Sequence, residues 1–316
     1  LGDVYKRQPA FGIGYIFLAN LISSALMLVM LLPDIIHVPL VFNGRLLRRM
    51  LKYSFPLLIL GIAGIMNQTI DKILYPELIS DRAEAMTGLG IYGANYKIAI
   101  VMVMFIQAFR FAYEPFIFAQ NKEKGIDKLR TYSDAMKYFV IFALFIFLFV
   151  MFYLDIIKYF ISPAYFSGLK VVPIIMIAEL FFGIFFNLSL WYKLTDRTHW
   201  GTWFSLLGLA VTVALNVVLV PRYGYMGCAW AAFACYGVMM LASYFIGRVK
   251  YPIDYKIPRL LFYCVVTAAL YIVALLVKPG PEWTTLIFRT ALLAIYVAIV
   301  CRHEHISIKQ LIPSKR

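Results

Sequence analysis

The segment Phe139–Phe160, FVIFALFIFLFVMFYLDIIKYF, decides the fold class of this chain. Its first sixteen residues carry no charge, and a helix of about 20 apolar residues crosses the roughly 30 Å of hydrocarbon in a bilayer. Similar segments recur along the chain, so the sequence predicts an all-α polytopic membrane protein with nine transmembrane helices. The nine predicted spans are Ala10–Leu32, Tyr53–Leu74, Ile91–Ala112, Phe139–Phe160, Val171–Tyr192, Trp200–Val220, Met226–Ile246, Leu260–Val277 and Trp283–Cys301.

Lysine and arginine are distributed unequally between the two sides that these spans define. Nineteen of them lie in the tail and in the loops that follow odd-numbered spans, whereas the other loops hold five. Short loops rich in lysine and arginine stay in the cytoplasm. The basic loop at residues 45–52 and the C-terminus are therefore predicted to be cytoplasmic.

The composition excludes several classes of protein. Apolar residues make up 63% of the chain and charged residues 15%, which is far from the balance of a soluble domain. The net charge of +14 follows from the loop bias, and no basic stripe with interleaved aromatic residues is present, so nucleic acid is not an expected partner. All four cysteines lie within predicted spans, which speaks against a disulfide framework.

Two short motifs resemble cofactor or metal sites, and neither has the context that such a site needs. Gly88–Gly93 matches the dinucleotide pattern G-x-G-x-x-G, but it opens a predicted span and no β-strand precedes it. Cys301, His303 and His305 are metal-ligand types crowded near a chain end, which is weak support for a metal site. We therefore expect no cofactor and no metal. The nucleophile motif Gly-x-Ser-x-Gly is absent and no loop is long enough for a soluble domain, so we expect a protein that is not an enzyme.

The first eight residues, LGDVYKRQ, look foreign to the rest of the chain. Residues 3–8 can be back-translated into a transposon end used in preparing sequencing libraries, so we interpret residues 1–8 as a sequencing-adapter artefact and exclude them from fold reasoning. The chain then enters a span directly, without a start methionine. We interpret it as the C-terminal fragment of a longer protein.

Four ionisable side chains inside predicted spans are candidates for a substrate or ion pathway, because charges in hydrocarbon are costly and are usually functional. Glu179 lies about 12 Å below the outer surface at 1.5 Å per residue, too deep for a glutamate to reach water along its side chain. A buried structural hydrogen bond is the alternative for Glu179. Lys97 and Arg289 each lie roughly 9 Å deep, where a long side chain can still reach the surface. Asp71 is shallower, at about 5 Å, and we expect it to pair with Lys97 or to share a site with it.

Polar residues also form stripes along two of the predicted spans. Gln68 shares a helix face with Gly61, Gly64 and Asp71 in the second span. Asn216 ends a stripe in the sixth span that also contains Ser205, Gly208 and Thr212. Such stripes are typical either of helix–helix packing or of a water-filled cavity, and the sequence leaves both interpretations open.

Three runs of sequence resemble the Wzx-type polysaccharide flippases of the multidrug/oligosaccharidyl-lipid/polysaccharide exporter superfamily. They are YSFPL to NQTIDK at 53–72, GIYGANYK at 90–97 with Gln107 and Pro115 after it, and NVVLVPRYGYMGCAWA at 216–231. The resemblance covers nearly all of the chain after residue 8. It implies two six-helix lobes around a central cavity, often with two extra C-terminal helices. It also implies that Asp71 and Lys97 occupy motif positions at helix ends facing the cleft.

The resemblance divides the chain into parts with different roles. Residues 9–52 would be the last N-lobe helix and the cytoplasmic inter-lobe loop, 53–250 the six-helix C-lobe, and 251–316 the two extra helices and tail. The implied activity is transfer of undecaprenyl-pyrophosphate-linked oligosaccharide across the bacterial inner membrane for O-antigen or capsule synthesis. Expected partners are that lipid-linked oligosaccharide, membrane lipids and other polysaccharide-assembly proteins. The alternatives are an ion-coupled multidrug exporter of the same superfamily and a membrane-embedded polysaccharide polymerase or ligase.

Overall fold

The structure, a computed structural model, describes residues 14–36, 42–120, 128–195, 197–277 and 280–304, and it is helical through most of them. It also contains two 3-10 segments, Lys158–Phe160 and Pro163–Val171. Residues 1–8, His305 and the rest of the predicted cytoplasmic tail lie outside the described residues. The helices are α1 (Gly14–Ile36), α2 (Gly44–Leu78), α3 (Arg82–Gln120), α4 (Lys128–Phe152), α5 (Leu154–Ile157), α6 (Val172–Leu188), α7 (Leu190–Leu194), α8 (His199–Tyr223), α9 (Tyr225–Lys250), α10 (Ile257–Leu276) and α11 (Glu282–His303).

The fold class is confirmed as all-α and polytopic. Among the described residues, eight helical stretches are long and apolar enough to cross a membrane. The second predicted span, Tyr53–Leu74, lies on α2, which has 35 residues but is not one of these eight. The C-terminal half of α2 carries Asn67, Gln68, Asp71 and Lys72, which make it more polar than its neighbours. A total of nine spans therefore stays a prediction.

The chain divides into two compact units, Leu1–Tyr53 and Ser54–Arg316. In the first unit, the described side chains of α1 are exposed along the whole helix. The start of α2 is capped by Asn43, whose Oδ1 accepts hydrogen bonds from the backbone N–H groups of Arg45 and Leu46 at 3.1 Å each. The domain boundaries predicted from the resemblance stay predictions.

In the second unit, α4 lies at the centre of the packing. It contacts α3 and α6 on one side and α10 and α11 on the other. Its buried side chains include Phe139 and Leu148, which belong to the largest apolar cluster of the unit. Helices α8 and α9 form an extended antiparallel hairpin, and α9 also packs along α6.

A buried ion pair joins the N-terminal end of α4 to the C-terminal end of α11. Lys137 Nζ lies 2.6 Å from Glu304 Oε2, and the two side chains are 10% and 4% exposed. Tyr263 of α10 donates a hydrogen bond to Glu304 Oε1 at 2.7 Å. Asp134, one turn before Lys137, lies 3.4 Å from the same ammonium group. Three helices therefore meet at one charge network.

The connection between the predicted spans Tyr53–Leu74 and Ile91–Ala112 is shorter than the apolar pattern predicts, because most of it is helical. Helix α2 continues to Leu78 and α3 already begins at Arg82. Asp81 caps α3, since its Oδ1 accepts the backbone N–H of Ala83 at 2.8 Å. A side-chain acceptor at this position satisfies a helix donor that would otherwise need water. Helix α2 thus extends about one turn, and α3 about two and a half turns, beyond the ends that the apolar pattern predicts.

Gly227 allows the two helices of the α8–α9 hairpin to approach closely. A Cβ atom at this position would lie 2.7 Å from the backbone carbonyl group of Leu219. The turn itself is Gly224, with φ +56°, a conformation in which a β-carbon is strained. Backbone atoms cannot rotate away as a side chain can, so the hairpin needs a residue without a β-carbon at both places.

Gly227→Val is expected to lower the free energy of unfolding by about 1–3 kcal/mol, the usual cost of overpacking a tight contact. The measurement is thermal unfolding of the purified protein in detergent. Gly93→Val is the matched control, because no neighbouring atom of the described residues lies within 4 Å of a Cβ at Gly93. Equal stability of the two variants would contradict the close approach at Gly227.

Candidate functional site

Asp71 is buried between α2 and α3, about two turns before the C-terminal end of α2. It is 5% exposed, and Tyr92 of α3 donates a hydrogen bond from its hydroxyl to Asp71 Oδ2 at 2.7 Å. The second carboxylate oxygen accepts the backbone N–H of Lys72 at 2.8 Å. The carboxylate is thereby held on both oxygens.

Glu179 is buried in the same way on α6. It is 3% exposed, and Tyr96 of α3 donates its hydroxyl hydrogen bond to Glu179 Oε1 at 2.7 Å. Tyr92 and Tyr96 are one helical turn apart, with ring centroids separated by 6.1 Å. One face of α3 therefore presents two phenols to two carboxylates on different helices.

Lys72 provides the positive charge of this cluster. Its ammonium nitrogen lies 3.7 Å from Asp71 Oδ1 and 4.3 Å from the centroid of the Tyr96 ring, over which it forms a cation–π contact. The same nitrogen donates a hydrogen bond to the backbone oxygen of Gln68 at 2.8 Å. We call Asp71, Lys72, Tyr92, Tyr96 and Glu179 the acidic cluster.

Among the described residues, Asp71 and Lys97 form no ion pair, so direct pairing of the two is wrong, whereas a shared site stays a prediction. Asp71 forms its ion pair with Lys72, and Lys97 is exposed on α3. Lys97 follows Tyr96 directly, and consecutive residues of a helix point about 100° apart. The side chain of Lys97 therefore leaves the face on which Tyr92 and Tyr96 meet the carboxylates.

The exposed side of α2 and α3 near the acidic cluster carries polar residues. Gln68 and Gly61 are exposed on α2, and among the described residues no neighbouring atom outside the helix's own backbone lies within 4 Å of a Cβ at Gly61 or Gly64. On α3, residues spaced at helical intervals share one exposed stripe. The stripe consists of Lys97, Ile100, Met104, Gln107 and Phe111. We call these exposed positions of the two helices, with Gln68 and the partly exposed Lys72 on α2 and Lys97 on α3 as their polar groups, the open face.

Asn216 lies in helix packing and not on the open face. It is fully buried, and its Nδ2 donates to the backbone oxygen of Thr212 at 2.8 Å. Ser205 and Gly208, on the same stripe, lie against α2 and α9. Asn67 Nδ2 of α2 donates a hydrogen bond to the backbone oxygen of Ser205 at 3.0 Å, and a Cβ at Gly208 would meet the side chain of Met239 on α9. For this stripe, the structure matches the packing interpretation.

Arg289 forms a structural contact with the end of α4. Its Nη1 donates to the backbone oxygen of Phe152 at 3.0 Å and to Asp155 Oδ2 at 2.7 Å. Burial opposes ionisation of Asp155, but the hydrogen bond from Arg289 and the charges of Arg289 and Lys158 outweigh it. The pKa of Asp155 consequently lies below its ordinary value of 3.8.

Arg289→Met is expected to lower the free energy of unfolding by about 1–2 kcal/mol, mainly through the lost hydrogen bond to the Phe152 oxygen. The Asp155 side chain is 66% exposed, so water screens the attraction between its carboxylate and Arg289, and the ion pair contributes less than the hydrogen bond. Because the folded-state pKa of Asp155 is depressed, the ionised carboxylate stabilises the folded state above pH 3.8. This stabilisation is lost as the pH falls through the folded-state pKa.

Thermal unfolding of both proteins at neutral and acidic pH measures this effect, with Arg222→Met, at an exposed arginine of α8, as the control. The stability difference between wild type and Arg289→Met should narrow in acid. A difference that widens in acid would show that another group dominates.

Sequence reasoning missed Lys72, Tyr92 and Tyr96. The i, i+4 spacing of the two tyrosines, which places them on one helix face, is the signal that could have found them. The glycines of the dinucleotide-like motif, Gly88–Gly93, lie inside α3 and form no loop. Within the described ranges, no group of three or more His, Cys, Asp or Glu residues is arranged to hold a metal ion.

Comparison with known proteins gives one informative similarity, and it is to a fold. No family model and no curated protein matches the chain. The solved structure of the lipid II flippase MurJ, in an inward closed conformation, aligns with a TM-score of 0.60 and 17% sequence identity. The alignment covers 90% of this chain and 61% of that one. The chain thus shares the fold of a flippase and spans about three fifths of its length.

Proposed function

We propose that this chain belongs to a flippase of the multidrug/oligosaccharidyl-lipid/polysaccharide exporter superfamily. It would move undecaprenyl-pyrophosphate-linked oligosaccharide repeat units across the bacterial inner membrane for O-antigen or capsule synthesis. The observation that carries the proposal is the fold shared with a lipid II flippase over 90% of the chain. The sequence runs at 53–72, 90–97 and 216–231 support the polysaccharide branch of the superfamily.

The open face supplies the chemistry that such a substrate needs. A pyrophosphate is recognised by cations, and Lys72 and Lys97 are partly or fully exposed on adjacent helices. Gln68 adds a side-chain amide that can bind sugar hydroxyls. Alternating access would then move this face between the two sides of the membrane as the lobes rock.

The acidic cluster supplies a means of coupling transport to an ion gradient. Lys72 is held between Asp71 and the Tyr96 ring, so the carboxylate competes with the substrate for the ammonium group. A proton or cation that neutralises Asp71 or Glu179 would release Lys72 to an incoming pyrophosphate. Lys72 thereby links the ion to the substrate in this proposal.

Two alternatives share part of this description. An ion-coupled multidrug exporter would have the same architecture, but its substrates do not require the lysines of the open face. A membrane-embedded polymerase or ligase would need catalytic carboxylates or histidines near a sizeable loop. In the part of the chain that the structure describes, the buried carboxylates are hydrogen-bonded inside the helix bundle.

Deleting the intact gene in its bacterial host tests the proposal. Lipid-linked repeat units should accumulate in the cytoplasmic leaflet, and surface polysaccharide should disappear until the gene is restored. Normal surface polysaccharide with increased drug sensitivity would favour the multidrug exporter. Repeat units that reach the outer leaflet but stay unpolymerised would favour the polymerase. A reporter fused to the C-terminus tests the predicted cytoplasmic location of the tail.

A further inference from the structure

A groove lies between the first turn of α10 and the last turn of α11, away from the acidic cluster. Its volume is about 480 Å³, within the range of a small-molecule site. Arg259, Arg302 and His303 line it together with the apolar side chains of Phe262 and Ile299. We propose that this groove binds the headgroup of an anionic phospholipid, with an acyl chain lying on Phe262 and Ile299.

The charges of the groove favour an anion. Arg259 and Arg302 are both exposed, and neither forms an ion pair with a carboxylate among the described residues. The carboxylate of Glu304 lies beside the groove, with Oε1 at 3.6 Å from His303 Nδ1, but its charge is balanced by Lys137, whose Nζ lies 2.6 Å from Oε2.

The geometry of His303 leaves one ring nitrogen available to a ligand. The single hydroxyl proton of Tyr263 is donated to Glu304 Oε1 at 2.7 Å. The 3.0 Å contact between that hydroxyl and His303 Nδ1 therefore needs Nδ1–H as its donor. Stacking on Phe262, with ring centroids 5.0 Å apart and planes at 21°, fixes the imidazole plane. The hydrogen bonds among Tyr263, His303 and Glu304 do not use Nε2 of His303.

The location suits a lipid better than a free ion. Basic pockets between transmembrane helices at the cytoplasmic side bind phospholipid headgroups, and the loop charges predict this end of the bundle to be cytoplasmic. Phe262 is 40% exposed beside the arginines, so an apolar surface continues from the charged groups toward the hydrocarbon. A lipid can satisfy both parts of the groove at once, whereas an inorganic phosphate contacts only the cations.

Native mass spectrometry of the purified full chain tests the proposal with three probes: phosphatidylglycerol, phosphatidylcholine and undecaprenyl pyrophosphate. Phosphatidylglycerol should bind more tightly than phosphatidylcholine. The double variant Arg259→Gln/Arg302→Gln should weaken the binding of phosphatidylglycerol by about 10–30-fold, with the two arginines contributing about equally to the lost binding free energy. Arg82→Gln/Arg222→Gln removes the same charge from exposed positions away from the groove and should leave binding unchanged.

Three results would overturn the proposal. They are equal binding of the two phospholipids, equal losses in the two double variants, and dependence on the arginines for undecaprenyl pyrophosphate alone. The last result would assign the groove to the substrate path. If the glutamine variant does not fold, Phe262→Trp gives a second readout. Brominated phosphatidylglycerol should quench the added tryptophan more strongly than brominated phosphatidylcholine, and equal quenching would contradict the site. None of these measurements depends on transport activity.

Discussion

Lys137→Met is expected to lower the free energy of unfolding by about 3–5 kcal/mol, the cost of leaving one partner of a buried ion pair uncompensated. Without the ammonium group at 2.6 Å, the carboxylate of Glu304 keeps the hydrogen bond from Tyr263 and loses its charge partner. The side chain of Glu304 is only 4% exposed, so water cannot replace the lost interaction. Thermal and denaturant unfolding in detergent micelles measure the effect.

Two controls separate loss of charge from loss of packing. Lys137→Met/Glu304→Leu should recover much of the stability, because a buried pair replaced by apolar residues is often neutral. Burial raises the pKa of Glu304, but the hydrogen bonds from Lys137 and Tyr263 outweigh it and hold the pKa below 4.5. The stabilisation is therefore present above pH 4.5 and is lost as the pH falls through the lower folded value. A double variant no more stable than Lys137→Met would refute the charge argument.

Asp71→Asn and Glu179→Gln are each expected to reduce transport of lipid-linked oligosaccharide by about 10–100-fold. Hydrogen bonds to charged groups contribute about 1.5–3 kcal/mol, and each 1.4 kcal/mol is a factor of ten. Both changes keep the shape of the side chain and remove the charge that Lys72 and the two tyrosines contact. The assay is surface polysaccharide in a deletion strain that expresses each variant of the intact gene at equal level.

Pairwise combinations test which residues act together. Tyr96→Phe combined with Glu179→Gln should cost little more than Glu179→Gln alone, because both remove the same 2.7 Å hydrogen bond. Asp71→Asn combined with Lys97→Gln should be additive, since Asp71 pairs with Lys72. Strong coupling between Asp71 and Lys97 would restore the original sequence-based hypothesis and contradict the acidic cluster.

The fold class was predictable because hydrophobic length is a property of single segments. Phe139–Phe160 has a run of sixteen uncharged residues, and no other residue of the chain is needed to interpret it. The helix ends were less predictable, since α3 starts at Arg82 through a cap by Asp81 that lies outside the apolar pattern. Apolar periodicity reports the hydrocarbon region, whereas capping decides where the helix actually begins.

The candidate site was predictable only in part, because the depth of a residue in the membrane does not determine which residue it contacts. Counting residues from the span ends identified Asp71 and Glu179 as buried acids, and the structure buries both. Similar depth also suggested Lys97 as a partner for Asp71. Depth gives no information on the direction in which a side chain points around the helix axis. In the structure, Lys97 points away from Asp71, and Tyr92 donates a hydrogen bond to it. Arg289 passed the depth test as well, but its partners belong to the end of α4.

The ion pair between Lys137 and Glu304 also has a consequence for biosynthesis. The two residues are 167 positions apart, so at roughly 5–20 residues per second the ribosome needs on the order of ten to thirty seconds to pass from one to the other. During that interval α4 is already synthesised, while the carboxylate that neutralises its lysine does not yet exist. We therefore expect α4 to remain with the insertion machinery or near the membrane surface until α11 emerges. The centre of the bundle would be the last part of the molecule to mature.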